Sequence, residues 1–160
     1  MQENQTALIA GGGLGGLTAA VALGQTGRRV KVIERAEAFA PIGYGIQLGP
    51  NALHMFDKLG LAEEVLRYSS LAEDVLVRDA ITGESIARIP MGREVCERYG
   101  QPYAVIHRAD LHEVLLEACR GIDTVELESG CALTSFEDLG ESVRVETTSG
   151  ESFSAAALIG

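Results

Sequence analysis

Ala7-Leu8-Ile9-Ala10-Gly11-Gly12-Gly13-Leu14-Gly15-Gly16-Leu17-Thr18-Ala19-Ala20-Val21-Ala22-Leu23 is the stretch that decides how this chain folds. A short apolar run, five closely spaced glycines and a small-residue segment follow one another with no charge or proline between them. Thr6 to Ala10 reads as a fully buried strand. Gly15 to about Gln25 reads as a helix, with Leu17, Ala20, Val21 and Gly24 on one side at helical spacing. Gly11, Gly13 and Gly16 stand in the G-x-G-x-x-G spacing, and each glycine has its own task. The first permits a tight strand-to-helix turn, the second lets a pyrophosphate approach the backbone, and the third lets helix pack close on strand. The helix start adds unpaired N–H groups and a positive dipole end.

The segment downstream gives those glycines their meaning. Gly27 ends the helix, and Arg29 to Glu34 reads as a second strand, apolar at Val30, Val32 and Ile33. Strand, helix and strand within about thirty residues make a βαβ unit, which crosses over right-handed onto a parallel sheet. Glu34 closes the second strand eighteen positions after Gly16. An acidic side chain there can accept hydrogen bonds from both ribose hydroxyls of an adenosine. Together these features predict a dinucleotide site. The charge of Glu34 disfavours a 2′-phosphate, while Arg35 beside it works the other way. No G-K-[S/T] follows the glycines, which excludes a phosphate loop of the ATPase kind.

Composition narrows the class. The 160 residues are 46% hydrophobic and 22% charged, enough for one sizeable core. A formal net charge of -10 argues against nucleic acid or an anionic membrane as the main partner. Cys96, Cys119 and Cys131 are scattered, odd in number and without a C-x-x-C, which suits a reducing cytoplasm and three partly buried small hydrophobes. The start of the chain lacks the basic region of a signal peptide, and no run reaches the ~18 apolar residues of a membrane span.

Beyond Glu34, residues Phe39 to Asn51 are rich in glycine and proline, without period, and too apolar for a linker; such a segment can bring backbone close to a flat ligand. A helix is predicted from about Asn51 to Leu59, stopped by Gly60, and a shorter one over Ala62 to Tyr68. Asp74 to Asp79 and Glu84 to Pro90 read as two strands about a turn at Gly83. Met91 to Gly100 reads as a loop with a helical turn. Tyr103 to His107 is a strand, followed by a helix with Leu111, Val114, Leu115 and Ala118 on its apolar face. Thr124 to Leu127 is a short strand, and Ala132 to Glu137 with Ser142 to Thr148 an antiparallel pair. Ser152 to Gly160 reads as one final apolar strand. An ending on Leu-Ile-Gly suggests the N-terminal piece of a longer polypeptide.

With those residues placed, the whole chain resembles the N-terminal part of a class A, single-component flavoprotein aromatic hydroxylase. The resemblance rests on Gly11-x-Gly13-x-x-Gly16, Glu34-Arg35, Gly43-x-Gly45-Ile46-Gln47-Leu48-Gly49-Pro50-Asn51 and His107-Arg108-Ala109-Asp110-Leu111-His112. Arg78 to Thr82, Arg98-Tyr99-Gly100 and Pro102-Tyr103 look most like the branch acting on 3-hydroxybenzoate, salicylate or hydroxynicotinate. It implies an α/β fold: a Rossmann-like FAD-binding βαβ unit with a parallel sheet plus an antiparallel hairpin, within a larger two-domain hydroxylase. Residues of about 70–105 would contribute strands toward the substrate domain.

The resemblance also implies FAD as cofactor, NADH or NADPH as external reductant, and O2 with a small aromatic substrate as reactants. Gly11, Gly13, Leu14, Gly15 and Gly16 would cradle the pyrophosphate, and Glu34 would hold the adenosine ribose with Arg35 beside it. Arg108 resembles an arginine that contacts the ribityl–pyrophosphate part, although alone it reads as a helix-start arginine paired with Asp110 or Glu113. Leu133 lies where relatives hydrogen-bond adenine through the backbone. Gln47 sits where relatives place a polar residue near flavin or substrate, or else satisfies nearby backbone. His54, His107 and His112 read as structural or exposed, since no metal-ligand spacing surrounds them. No catalytic base is assigned, and a homodimer is left open. The competing readings are an NAD-dependent dehydrogenase or flavin reductase, and a non-catalytic nucleotide-binding fragment. The segments Gly43–Asn51 and His107–His112 argue against the first.

Overall fold

The computed structural model describes residues 6–39 and 44–160. They fall into two compact units, the first built from residues 6–39 and 112–160 and the second from residues 44–111. In chain order the elements up to the second unit's end are β1 (Ala7–Ala10), α1 (Leu14–Gly24), β2 (Val30–Glu34), β3 (Gly45–Leu48), α2 (Pro50–Lys58), α3 (Ala62–Arg67), β4 (Ser69–Leu71), β5 (Asp74–Arg78), β6 (Ser85–Pro90), α4 (Arg93–Tyr99) and β7 (Ala104–His107). Then come α5 (Arg108–Arg120), β8 (Val125–Ser129), β9 (Leu133–Asp138), β10 (Val143–Thr147), β11 (Ser152–Ala155) and β12 (Ala157–Ile159).

In the first unit, four parallel strands lie in the order β12-β1-β2-β8. The register Leu8↔Lys31, Ile9↔Val32, Ala10↔Ile33 puts Leu8, Lys31 and Ile33 on one face, and Ile9, Val30 and Val32 on the other. The second face meets α1, which buries Leu17, Ala20, Val21 and Gly24, the four residues expected from the spacing. Burying a side chain such as Leu17 or Val21 contributes about 1.5–3 kcal/mol. Gly24 is small for a reason: a Cβ there would come 2.6 Å from Val125 Cγ2 and 3.0 Å from Ile122 Cγ2. The first face meets an antiparallel sheet, β11-β10-β9, across a core of Leu8, Ile33, Cys131, Val145 and Ala155. Lys31 lies on this face with its Nζ 4.4 Å from the Phe153 ring centroid and paired to Glu126 and Glu128 of β8 at 2.8 and 2.7 Å.

The expected single strand over Ser152 to Gly160 is two strands in two sheets. Ser152–Ala155 pairs antiparallel with β10, and Ala157–Ile159 pairs parallel with β1. The N–H of Ala156 donates to Thr6 O at 2.9 Å and marks the change of partner. A run of alanines carries no turn signal, so the break is set by pairing and not by local preference.

In the second unit, β3-β7-β4 form an antiparallel sheet and β5-β6 a separate ribbon. Gly45–Leu48, expected to be aperiodic, is a strand paired with Ala104–His107. Residues 40–43 of that glycine-rich segment, Gly43 included, lie outside the described residues. The β5–β6 ribbon turns at Gly83, whose φ of +72° favours glycine. Met91 to Gly100 contains a full helix, α4, ended by Gly100 at φ +73°. None of its residues is buried, which is why no apolar period announced it.

Candidate functional site

The loop between β1 and α1 is held by its own backbone and by one carboxylate. Gly11 turns the chain at φ +121°, its N–H donating to Ile33 O at 2.8 Å. At Gly16 a Cβ would overlap the Gly11 carbonyl oxygen and lie 3.2 Å from Ile9 Cγ2, so helix and strand meet here only because no side chain intervenes. Gly13 and Gly15 behave differently. Among the described residues a Cβ at either would find nothing within 4 Å, which leaves room there for a ligand.

The start of α1 is uncapped. Gly13 occupies the N-cap position with no side-chain hydrogen bond, and the first turn contains no acidic residue. The first N–H groups of an α-helix have no intrahelical partner. The positive dipole end at Leu14, Gly15 and Gly16 therefore suits an anion supplied from outside the chain.

Glu34, at the end of β2, reaches back to this loop. Its Oε2 accepts the Gly12 N–H at 2.7 Å and its Oε1 the Ala36 N–H at 3.0 Å. Partial burial pushes its pKa up, but the N–H groups of Ala36 and Gly12 and the charge of Arg35 outweigh it, holding the carboxyl below its ordinary 4.5. A carboxylate offers about four lone-pair sites, so the N–H groups of Gly12 and Ala36 leave acceptor capacity for a ligand. Beside it opens a cleft of about 420 Å³ lined by Ala10, Gly11, Ile33, Glu34, Arg35, Cys131, Ala132 and Leu133. Its far wall is tied to the end of β2 by Cys131 N–H to Glu34 O at 2.9 Å and Gly130 N–H to Ala36 O at 2.7 Å.

These donors, the free space at Gly13 and Gly15, and a cleft ending at a charged carboxylate fit a pyrophosphate with an adenosine attached. One comparison decides which family this is: a model described as an FAD binding domain matches residues 4–157. The chain belongs to that FAD-binding domain family. FAD is accordingly the cofactor of this fold.

The FAD-binding domain is similar to flavoprotein hydroxylases throughout its length. It is 47% identical over 154 residues to a 3-hydroxybenzoate 6-hydroxylase of Polaromonas naphthalenivorans, covering 96% of this chain and 38% of that protein. It is 34% identical over 160 residues to a 6-hydroxynicotinate 3-monooxygenase of Pseudomonas fluorescens, covering 100% of this chain and 41% of that one. The chain thus spans about two fifths of the length of the curated relatives it matches. Among solved structures, Klebsiella pneumoniae HpxO complexed with FAD and uric acid superposes with a TM-score of 0.83 at 29% identity, over 96% of this chain and 38% of that one. The p-nitrophenol 4-monooxygenase of Pseudomonas putida gives a TM-score of 0.87 at 23% identity, covering 97% of this chain and 40% of its own, a likeness of fold. The expected kinship with flavoprotein aromatic hydroxylases, the α/β fold and FAD are all shown.

Of the residues singled out from sequence, Gly11, Gly13, Leu14, Gly15, Gly16, Glu34, Arg35 and Leu133 come together in the first unit. Arg35 is exposed on the cleft wall and Leu133 is half-buried opposite it. Gln47 and Arg108 belong to the second unit. Gln47, in β3, accepts the Tyr103 hydroxyl at 2.6 Å through its Oε1. Arg108 opens α5, and its own N–H donates to Tyr44 O at 3.0 Å. His54 Nε2 lies 2.7 Å from Tyr99 O, and His107 Nδ1 accepts the Ala109 N–H at 3.3 Å as a cap for α5.

Two residues of this neighbourhood escaped the sequence reading, and for a third its structural alternative holds. Gly12, outside the G-x-G-x-x-G count, is buried, and a Cβ there would overlap the Phe39 ring and come 3.2 Å from Glu34 Cβ. Cys131 lines the cleft. His112, read as structural or exposed, is buried with its Nε2 2.8 Å from Gly12 O. A signal for it existed: His112, Leu115, Leu116 and Cys119 follow the i, i+3, i+4, i+7 rule, and all four are buried.

Proposed function

We propose that this chain is the ADP-binding part of the FAD site of an NAD(P)H- and O2-dependent monooxygenase that hydroxylates a phenolic or otherwise hydroxylated aromatic acid. The observation that carries the proposal is the uncapped start of α1 beside the Glu34 cleft, in a chain 47% identical to a 3-hydroxybenzoate 6-hydroxylase. In this reading Gly11, Gly13, Leu14, Gly15 and Gly16 hold the pyrophosphate through backbone N–H groups and the helix dipole. The unused lone pairs of Glu34 accept the adenosine ribose hydroxyls, with Arg35 beside them, and the backbone at Leu133 meets the adenine edge. Arg108 is assigned to the ribityl–pyrophosphate part and Gln47 to the neighbourhood of flavin or substrate.

FAD, when bound, supplies the redox and oxygen chemistry. The residues of this chain bind and orient it, and none is assigned a proton-transfer step. In the parent polypeptide the chain would be the N-terminal portion of the FAD-binding domain, with residues of about 70–105 contributing strands toward the substrate domain. Leu76, Val77, Ile86 and Ile89 of the β5–β6 ribbon are exposed in this chain, which supports that assignment. A reducing cytoplasm is the proposed setting, consistent with the free thiols of Cys96, Cys119 and Cys131. Among the described residues no helix is long and apolar enough to cross a membrane.

The test is purification of the full-length parent. It should carry a flavin absorbance spectrum and oxidise NADH or NADPH when given 3-hydroxybenzoate or 6-hydroxynicotinate, with a hydroxylated product by mass spectrometry. A parent without flavin, or one whose flavin supports no hydroxylation of any hydroxylated aromatic acid offered, would refute it.

A further inference from the structure

Both peptide groups flanking the Gly12 Cα are pinned from a distance. The N–H of Gly12 donates to the Glu34 carboxylate at 2.7 Å, twenty-two residues on. The C=O of Gly12 lies 2.8 Å from His112 Nε2, a hundred residues on. A carbonyl oxygen only accepts, so Nε2 carries the proton and donates it. The other ring nitrogen, Nδ1, is buried with no hydrogen-bond partner among the described residues, and the residue is 6% exposed. A buried nitrogen left without a partner costs free energy, so the ring's one hydrogen bond to Gly12 is the polar contact that justifies a histidine here.

We infer that His112 is a positioning residue for the FAD pyrophosphate, acting by fixing the direction of the Gly12–Gly13 peptide; the inference rests on the FAD reading above. In a trans peptide the C=O and the following N–H point in opposite directions. Drawing the Gly12 carbonyl onto His112 therefore turns the Gly13 N–H away from α5, at the residue where a Cβ would meet nothing within 4 Å among the described residues. Gly12 and Gly13 are adjacent glycines, whose backbones rotate at little steric cost. Without the imidazole this peptide can flip, presenting a carbonyl oxygen where an anion requires a donor. Glu34 holds only the preceding peptide and cannot prevent it.

The experiment compares His112→Gln, whose side-chain NH2 reaches the place of Nε2 and donates, with His112→Leu, which fills the space without a donor. Both are made in the full-length protein, and FAD dissociation constants are measured by flavin fluorescence on apoprotein refilled with FAD. Leu should weaken FAD at least ~10-fold, the loss of about one hydrogen bond's 1.4 kcal/mol, and Gln should stay within ~3-fold of wild type. Hydrogen exchange followed by mass spectrometry on the apoprotein should show faster exchange in the Gly11–Leu17 peptide for Leu and not for Gln. If Leu fails to fold, His112→Asn replaces it, being one methylene too short to reach Gly12 O. Wild-type affinity and exchange in the Leu or Asn variant would overturn the inference, as would a Gln variant, shown folded by circular dichroism, that loses as much as Leu. A wild-type protein with no affinity for FAD would overturn the FAD reading instead, and the exchange comparison would still decide whether His112 holds the loop.

Discussion

Gly13→Ala and Gly16→Ala separate binding from folding, because the two positions differ in what a methyl group would meet. At Gly16 the new Cβ would overlap the Gly11 carbonyl oxygen and crowd Ile9 Cγ2 at 3.2 Å. The obstacle is backbone, so no rotamer relieves it, and strand or helix has to move. Overpacking of this kind costs about 3 kcal/mol at the upper end of its usual range. Alanine regains about 1 kcal/mol over glycine inside a helix, leaving about 2 kcal/mol of net destabilisation. At Gly13 the backbone is extended, φ −78° and ψ −178°, and a Cβ meets nothing within 4 Å among the described residues, so the apoprotein should lose almost nothing. On the proposed reading the same methyl group would stand where the pyrophosphate approaches, and a steric cost of about 1–3 kcal/mol is roughly a 5- to 150-fold loss of FAD affinity. Urea denaturation of the apoprotein reads the first quantity and flavin titration the second. Gly13→Ala should therefore match wild type in urea and bind FAD weakly, whereas Gly16→Ala should be worse in both. A Gly13→Ala protein that retained full flavin affinity would refute the reasoning, because the space at Gly13 would then not be the cofactor's.

Glu34→Gln removes a charge that two N–H groups share, which should cost about 1–2 kcal/mol of apoprotein stability at neutral pH, read in urea. Because the folded carboxyl lies below its ordinary 4.5, its contribution is present above that value and is lost as pH falls through the folded one. The gap between wild type and variant should close in the same acid range, and a constant gap would count against it. Burial raises the Cys119 thiol to about 11 and also raises Cys131, whereas Cys96 is exposed. Alkylation at neutral pH with peptide mapping should mark Cys96 first, and equal labelling of Cys119 would contradict its burial. Lys31→Met leaves Glu126 and Glu128 without the ammonium between them and should cost about 1–3 kcal/mol in urea, less at high salt; an unchanged midpoint would show that the pairs contribute nothing.

Much of the first unit was legible because its signals are local. Leu17, Ala20, Val21 and Gly24 lie within eight residues, and their helical spacing names the face that is buried. The β9–β10 pair follows from alternation in Val143 to Glu146, with a glycine turn on either side of β10 at Gly140 and Gly150. Elements whose definition comes from a distant partner were misread. Gly45–Leu48 is a strand because β7 pairs with it, and the alternation of Ile46 and Leu48 is too short to stand out between glycines and prolines. The last strand changes sheets at Ala156, where Thr6, a hundred and fifty residues earlier, supplies the acceptor.

The same distinction governs the site. The spacing of Gly11, Gly13 and Gly16 records where the protein cannot tolerate a side chain or where a ligand needs room, and both are properties of positions along one turn. Spacing does not record which way each peptide faces. That is decided at Gly12, which the pattern leaves as an unspecified residue, by a carboxylate from β2 and an imidazole from α5. The count leaves that position open, but a Cβ there would overlap the Phe39 ring and crowd Glu34 Cβ at 3.2 Å, so any side chain requires the ring to shift. A glycine there gives up rigidity, and the two long-range hydrogen bonds restore it. On the proposed reading the motif specifies the room for a phosphate, while the donors' direction is written twenty-two and a hundred residues away. A chain with the same glycines but without partners at those two places would have the shape of the loop and lack its aim.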